Sequence, residues 1–231
     1  MFFTSHRSQA PQLDILTYLS LLLIYVGLLY LAVVYHRSPK IRRFFWGLQC
    51  LQVIALYSWY MAVDWTLSES LPLYHCRLSM LFMLFAKPGP LKRYFACLGL
   101  FGSLVAFVYP VFDPFAFPHV TILSFIIGHY ALAVNSLIYL LSEQKEDDLD
   151  RTFVIRVTLL THSLMLLANL FLKGNYGFLS KTPLINSENV AFNFLLETGL
   201  FVFAVLLVNS LVQNLLKKTD WNWVVNSQSK F

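Results

Sequence analysis

The strongest constraint on this chain is a succession of apolar runs, each near the ~20 residues that a helix needs to cross a bilayer. The runs fall at about 15–35, 44–63, 71–86, 94–109, 120–141, 153–172 and 190–216. Their connections are too short for a separate soluble unit, so residues 1–231 are read as a single transmembrane domain. The expected fold is all-α: a polytopic membrane helix bundle of about seven transmembrane helices. With 58% hydrophobic and only 13% charged residues, the chain lacks the polar side chains that would cover a water-soluble domain. Local signals mark several boundaries. Lys87-Pro88-Gly89-Pro90 ends the third run, and Pro110, Pro114 and Pro118 keep the next connection non-helical. Ser70 is expected to cap the third helix, with Pro72 in its first turn.

Lys and Arg give the orientation. Leaving out Arg77 and Arg156, which lie within runs, the odd-numbered connections and the C-terminal tail hold twelve, against three on the other side. By the positive-inside rule the N-terminus is outside and the C-terminus cytoplasmic. The net charge of +5 comes from short clusters at the ends of apolar runs, where orientation and anionic headgroups account for it, and it does not indicate nucleic-acid binding. The first run follows Arg7 but has no small-residue cleavage pattern, so it is read as a retained helix. Cys50, Cys76 and Cys97 are odd in number and lack metal-ligand spacing, which suggests neither a disulfide framework nor a zinc finger. No Gly-rich phosphate loop, HExxH pair or GxSxG elbow is present, and no cofactor is expected.

Polar side chains inside these runs are costly in hydrocarbon, and they mark functional sites more often than in soluble proteins. At ~1.5 Å per residue, Cys76 lies roughly 8 Å below the outer end of its run. His129, Asn169 and Glu197 also fall in the outer half, whereas Cys50 and Cys97 lie near inner ends. A thiol, an imidazole and a carboxylate at comparable depth have the parts of an activated nucleophile. Blander roles compete with this one. Cysteine is commonly a small packing residue in membrane helices, and Arg77 has snorkelling or pairing with Glu197 open to it. His162, Asn135 and Asn193 suit helix-to-helix hydrogen bonds. His75 and His119 sit near the interface.

Several spaced motifs occur together. They are Leu71-Pro72-Leu73-Tyr74-His75-Cys76, Gly99-Leu100-Phe101-Gly102 leading to Tyr109-Pro110, Phe117-Pro118-His119 followed by Phe125-Ile126-Ile127-Gly128-His129, and Asn169 followed by Gly174-Asn175-Tyr176-Gly177-Phe178-Leu179. In this order they resemble the YwaF-type bacterial integral membrane proteins, from about Leu71 to Leu179. Tyr74 stands where that family has a histidine two residues before the cysteine, with His75 next to it. The family resembles in turn a eukaryotic branch that includes an acyltransferase acting on lyso-ether phospholipids through a cysteine acyl intermediate. More distantly, it resembles membrane hydrolases that use a threonine and a histidine.

The resemblance implies a multi-pass protein of the bacterial plasma membrane, in which Cys76 is the nucleophile and His129 the general base. The implied reaction moves a fatty acyl chain from a donor phospholipid or glycolipid to a lyso-lipid or other hydroxyl acceptor in the outer leaflet. Glu197 or Asn169 would orient the imidazole. Arg77, Asn175, Tyr176 and His119 are candidates for substrate binding or oxyanion stabilisation. Two other functions remain open at this point. One is a zinc-dependent or cysteine-dependent lipid hydrolase, with His75, His119 and His129 joined by Cys76 or Glu197 as ligands. The other is a lipid-binding or transport protein without chemistry.

Overall fold

The computed structural model describes residues 2–142, 149–183 and 185–218; the acidic connection 143–148 and the tail from residue 219 lie outside them. The described residues form seven α-helices: α1 (Ile15–Tyr35), α2 (Pro39–Val63), α3 (His75–Phe85), α4 (Pro90–Val108), α5 (Val120–Ser142), α6 (Arg151–Leu172) and α7 (Val190–Lys218). A short 3-10 turn, Tyr176–Phe178, lies between α6 and α7. Five of these helices, α1 and α4 to α7, are long and apolar enough to cross a membrane. This is a polytopic helical membrane protein.

Capping explains several of the helix starts. Asp14 accepts a hydrogen bond from the Thr17 backbone N–H at 3.0 Å, and Asp150 accepts from Thr152 and Phe153, so the first turns of α1 and α6 have side-chain partners for their exposed donors. Each such cap is worth ~1 kcal/mol. α2 begins at Pro39 rather than near residue 44, because proline at the first helical position suits a helix start. The basic residues of its first turns interrupt the apolar run but not the helix.

α3 departs most from expectation. It starts at His75, with Tyr74 as the capping residue, and spans 11 residues. Ser70 does not cap it. The Ser70 hydroxyl accepts from the Thr66 N–H at 3.0 Å and donates to the Asp64 carbonyl at 3.3 Å, which holds residues 64–70 as an irregular turn. The chain from Asp64 to Tyr74 is therefore non-helical, and the thiol falls in the first turn of a short helix.

The core is built around α5, which packs against α1, α2, α3 and α4. Its apolar span is 67% buried within the protein, whereas that of α1 is 11% buried, so α5 is central and α1 presents most of its surface to lipid. α7 packs on α4 and α6. On α6, Leu160, Leu164, Leu167 and Phe171 recur at helical spacing and are exposed, as a lipid-facing stripe requires.

Candidate functional site

Cys76 is a free thiol in the first turn of α3. Its sulfur lies against Gly102 of α4 so closely that a Cβ added there would stand 2.9 Å from Sγ, with no other neighbour within 4 Å. Gly102 thus admits the thiol into the α3–α4 seam. On the next turn Met80 approaches Gly128 of α5, where an added Cβ would meet Met80 Cε at 3.0 Å and the Gln52 amide of α2 at 2.9 Å. Gln52 accepts from Gln49 at 2.7 Å, so two buried amides line the interior beside His129.

The irregular segment before α3 is held by side chains from several elements. Arg77 donates through Nη1 to the Glu69 carbonyl at 2.9 Å and through Nη2 to the Tyr60 hydroxyl at 2.7 Å. Its guanidinium also lies 4.9 Å from the Tyr74 ring centre. Arg77 forms no ion pair with Glu197, the partner considered from the sequence. Tyr176 contributes a second clasp, because its hydroxyl donates to the Leu67 carbonyl at 2.8 Å and accepts from the Leu71 N–H at 3.1 Å. Asn169 fixes Tyr176 in turn. Its amide accepts from the Tyr176 N–H at 2.6 Å and donates to the Tyr176 carbonyl at 2.9 Å. Asn175 closes the same loop by accepting from Ser180 and Lys181, both at 3.0 Å.

Gly177 lets this loop approach α3. Its φ of +64° is unfavourable for other residues, and an added Cβ would stand 2.8 Å from Met165 Sδ and 3.0 Å from His75 Cε1. Asn169 and Tyr176 therefore connect to Cys76 through the backbone leading into α3. No hydrogen bond joins either of them to His129.

His129 is 8% exposed on α5. Its ring packs against Phe125 and Phe107. Nδ1 lies 2.6 Å from the Phe125 carbonyl oxygen, one turn back on the same helix. A carbonyl can only accept, so Nδ1 carries the proton and Nε2 of the neutral ring is left as the acceptor. The orienting group is thus a backbone carbonyl. Glu197, half-buried on α7, makes no hydrogen bond or ion pair to a described residue. Among the described residues no hydrogen bond links Cys76 to His129, although both side chains are inside the bundle.

The remaining candidates lie in two other clusters. His119 is fully buried: Nδ1 meets the Thr121 hydroxyl at 2.9 Å, Nε2 meets the Thr4 carbonyl at 3.0 Å, and the ring stacks on Phe115. It ties the N-terminal segment to the 110–119 connection, with both nitrogens engaged. In that connection, burial pushes the Asp113 carboxyl above its usual range, opposed by the charge of Arg77. Deeper between α3, α6 and α7, His75 Nε2 and His162 Nε2 are 2.7 Å apart, and His162 Nδ1 is 2.8 Å from the Thr198 hydroxyl. His162 and Asn135 do bridge helices, the latter by donating to the Phe45 carbonyl at 3.1 Å. Asn193 bonds instead to the loop carbonyls of Leu179 and Ser187. Among the described residues no three His, Cys, Asp or Glu side chains gather as metal ligands, so the zinc alternative has no ligand set on which to build.

Sequence reasoning missed Tyr60 and Thr198, and it had Gly102 and Phe125 only as parts of motifs, without their contacts to Cys76 and His129. The Phe125–His129 spacing carried a signal for its contact, since any helical histidine can bond back four residues.

The helices, with their buried imidazoles and partly buried thiol and guanidinium, define a polytopic membrane protein with a polar interior at one end of the bundle. A family model described as the TMEM164 family matches residues 2–212 of the 231. The chain belongs to the TMEM164 family. Neither a curated protein nor a solved structure matches it significantly.

Proposed function

We propose that this protein is a membrane lipid acyltransferase that carries a fatty acyl chain on Cys76, with His129 as the general base. One observation carries this reading. The Nδ1–H of His129 is committed to the Phe125 carbonyl, so Nε2 is the nitrogen available to take a proton inside the bundle that also holds a free thiol. The likeness of the Cys76 and His129 motifs to the YwaF-type proteins, and through them to a cysteine-dependent acyltransferase, supports the same assignment. On the orientation favoured by the Lys and Arg distribution, the reaction takes place in the outer half of the membrane.

Binding of the donor lipid brings Sγ and Nε2 to hydrogen-bond distance, since catalytic contacts often tighten only in the substrate complex. His129 Nε2 accepts the thiol proton as Sγ bonds to the ester carbonyl carbon of the donor. The ester C–O bond then breaks, and the leaving alkoxide takes the proton back from His129, releasing a lyso-lipid. An acceptor hydroxyl gives its proton to Nε2, attacks the thioester and leaves as the acylated product. The Cys76 sulfur departs with that proton. Arg77 is a source of oxyanion stabilisation, since its five-donor fork is not exhausted by its bonds to Glu69 and Tyr60. Asn169 and Tyr176 are positioning residues, acting through the segment that leads into α3.

The test is to incubate the purified protein with a phospholipid carrying a labelled acyl chain, then quench in denaturant. Label should remain bound to protein and be released by neutral hydroxylamine, as a thioester is. If Cys76→Ala retains hydroxylamine-sensitive label or still transfers it, Cys76 is not the acyl carrier.

A further inference from the structure

The opposite end of the bundle holds a cavity of about 240 Å³. Its lining includes Arg42 and Arg43 from α2, Lys92 from α4, Asn135 from α5, and Trp46 and Met83. Among the described residues no acidic side chain contributes to this lining. Arg42 and Arg43 have no hydrogen-bond or ion-pair partner among the described residues. Lys92 is held in place by its bond to the Ala86 carbonyl at 2.9 Å, with its ammonium 5.4 Å from the Tyr139 ring centre. Three cations from two helices therefore share one concavity whose remaining wall is largely apolar. It lies where α2 and α4 begin and α3 and α5 end, the end that the Lys and Arg distribution assigns to the cytoplasm. Along α5, Asn135 is six residues beyond His129, or ~9 Å, so the cavity does not belong to the Cys76 region.

We propose that this cavity binds the phosphate of an anionic phospholipid from the inner leaflet. Arg42 and Arg43 supply the charge, and Trp46 and Met83 face the start of the acyl chains. A soluble anion would have little use for the apolar wall, whereas a lipid presents a phosphate and hydrocarbon together at this depth. The assignment is independent of acyl transfer, because it concerns equilibrium binding at a separate place.

Trp46 provides the probe. The full-length protein is reconstituted in phosphatidylcholine nanodiscs, and a rising fraction of phosphatidic acid with brominated acyl chains is included. The fluorescence lost in wild type but not in Trp46→Phe reports occupancy beside Trp46. Brominated phosphatidic acid should quench this component at a mole fraction at least several-fold lower than brominated phosphatidylcholine does. The Arg42→Gln/Arg43→Gln double variant should weaken that preference roughly tenfold or more, since each basic residue near an anionic surface contributes substantially to attraction. Arg37→Gln/Lys40→Gln removes as many charges from the same part of the chain but outside the lining, and should leave it unchanged. Native mass spectrometry of retained phosphatidic acid provides a second readout that does not depend on Trp46. Equal quenching by the two lipids, or equal loss in both double variants, overturns the site. Relief of quenching by millimolar inorganic phosphate overturns the lipid assignment in favour of a soluble anion.

Discussion

Gly102→Ala tests the position of the Cys76 thiol directly. The new Cβ would stand 2.9 Å from Cys76 Sγ, at least ~0.6 Å inside ordinary non-bonded contact. Two responses are available. If the thiol holds its place, the overlap costs about 1–3 kcal/mol, as other overpacking changes do. If Sγ swings to another staggered position, less stability is lost, but the thiol leaves its site. Replacing a helical glycine by alanine itself gains about 1 kcal/mol, so the net change in stability should be small, between roughly zero and 2 kcal/mol destabilising. Function should suffer more, because a displacement of ~1 Å in a reacting group can reduce rates by ~10²-fold. The assay pairs the rate of hydroxylamine-sensitive acyl labelling with thermal unfolding in detergent. A double-mutant cycle with Cys76→Ala isolates the cause. Without Sγ there is nothing for the new methyl to meet, and Gly102→Ala should become neutral or stabilising in that background. Wild-type labelling by Gly102→Ala, or the same stability change in both backgrounds, would refute the placement of Sγ against Gly102.

Three further outcomes are expected. Asn169→Ala removes the partners of both the Tyr176 N–H and its carbonyl, and should destabilise by about 1–3 kcal/mol for each group left buried and unpaired; thermal unfolding together with proteolysis of the loop after α6 would measure it. His129→Gln should reduce acyl labelling by ~10²-fold or more while leaving the unfolding temperature close to wild type, which separates base catalysis from packing. Because burial holds the Asp113 carboxyl above its ordinary value of 3.8, the folded chain binds that proton more tightly than the unfolded chain. Stability from this group is therefore greatest in acid and declines as pH rises through the raised value. Asp113→Asn should remove that decline, so unfolding midpoints measured from pH 4 to 7 should show the variant gaining on wild type as pH increases.

Hydropathy made the helices legible because a bilayer demands continuous apolar length, and α1, α5 and α6 lie almost where their runs do. It failed at α2 and α3 for opposite reasons. In α2 the helix continues through Lys40, Arg42 and Arg43, charged residues that no longer look like a span. In α3 the apolar residues Leu71 and Leu73 continue the pattern, although the backbone there is not helical. Cys76 and His129 stood out as interior polar residues, but their surroundings did not. From the sequence Asn169 is a group to orient an imidazole, whereas its contacts are with the backbone N–H and C=O of one residue, Tyr176. Backbone partners of this kind leave no trace in side-chain identity. The histidine beside Cys76 likewise faces away, toward His162 and Phe201.

The irregular stretch from Asp64 to Tyr74 has a consequence for solvent. Hydrocarbon offers no hydrogen bonds, so non-helical backbone at membrane depth needs protein or water as a substitute. Here Ser70, Arg77 and Tyr176 take that place for the carbonyls of Asp64, Glu69 and Leu67 and for the N–H groups of Thr66 and Leu71. These three side chains act as a fixed hydration layer. Bulk water is not required to satisfy these five peptide groups, which leaves less water in the segment leading to Cys76 to hydrolyse the thioester that the proposed mechanism forms.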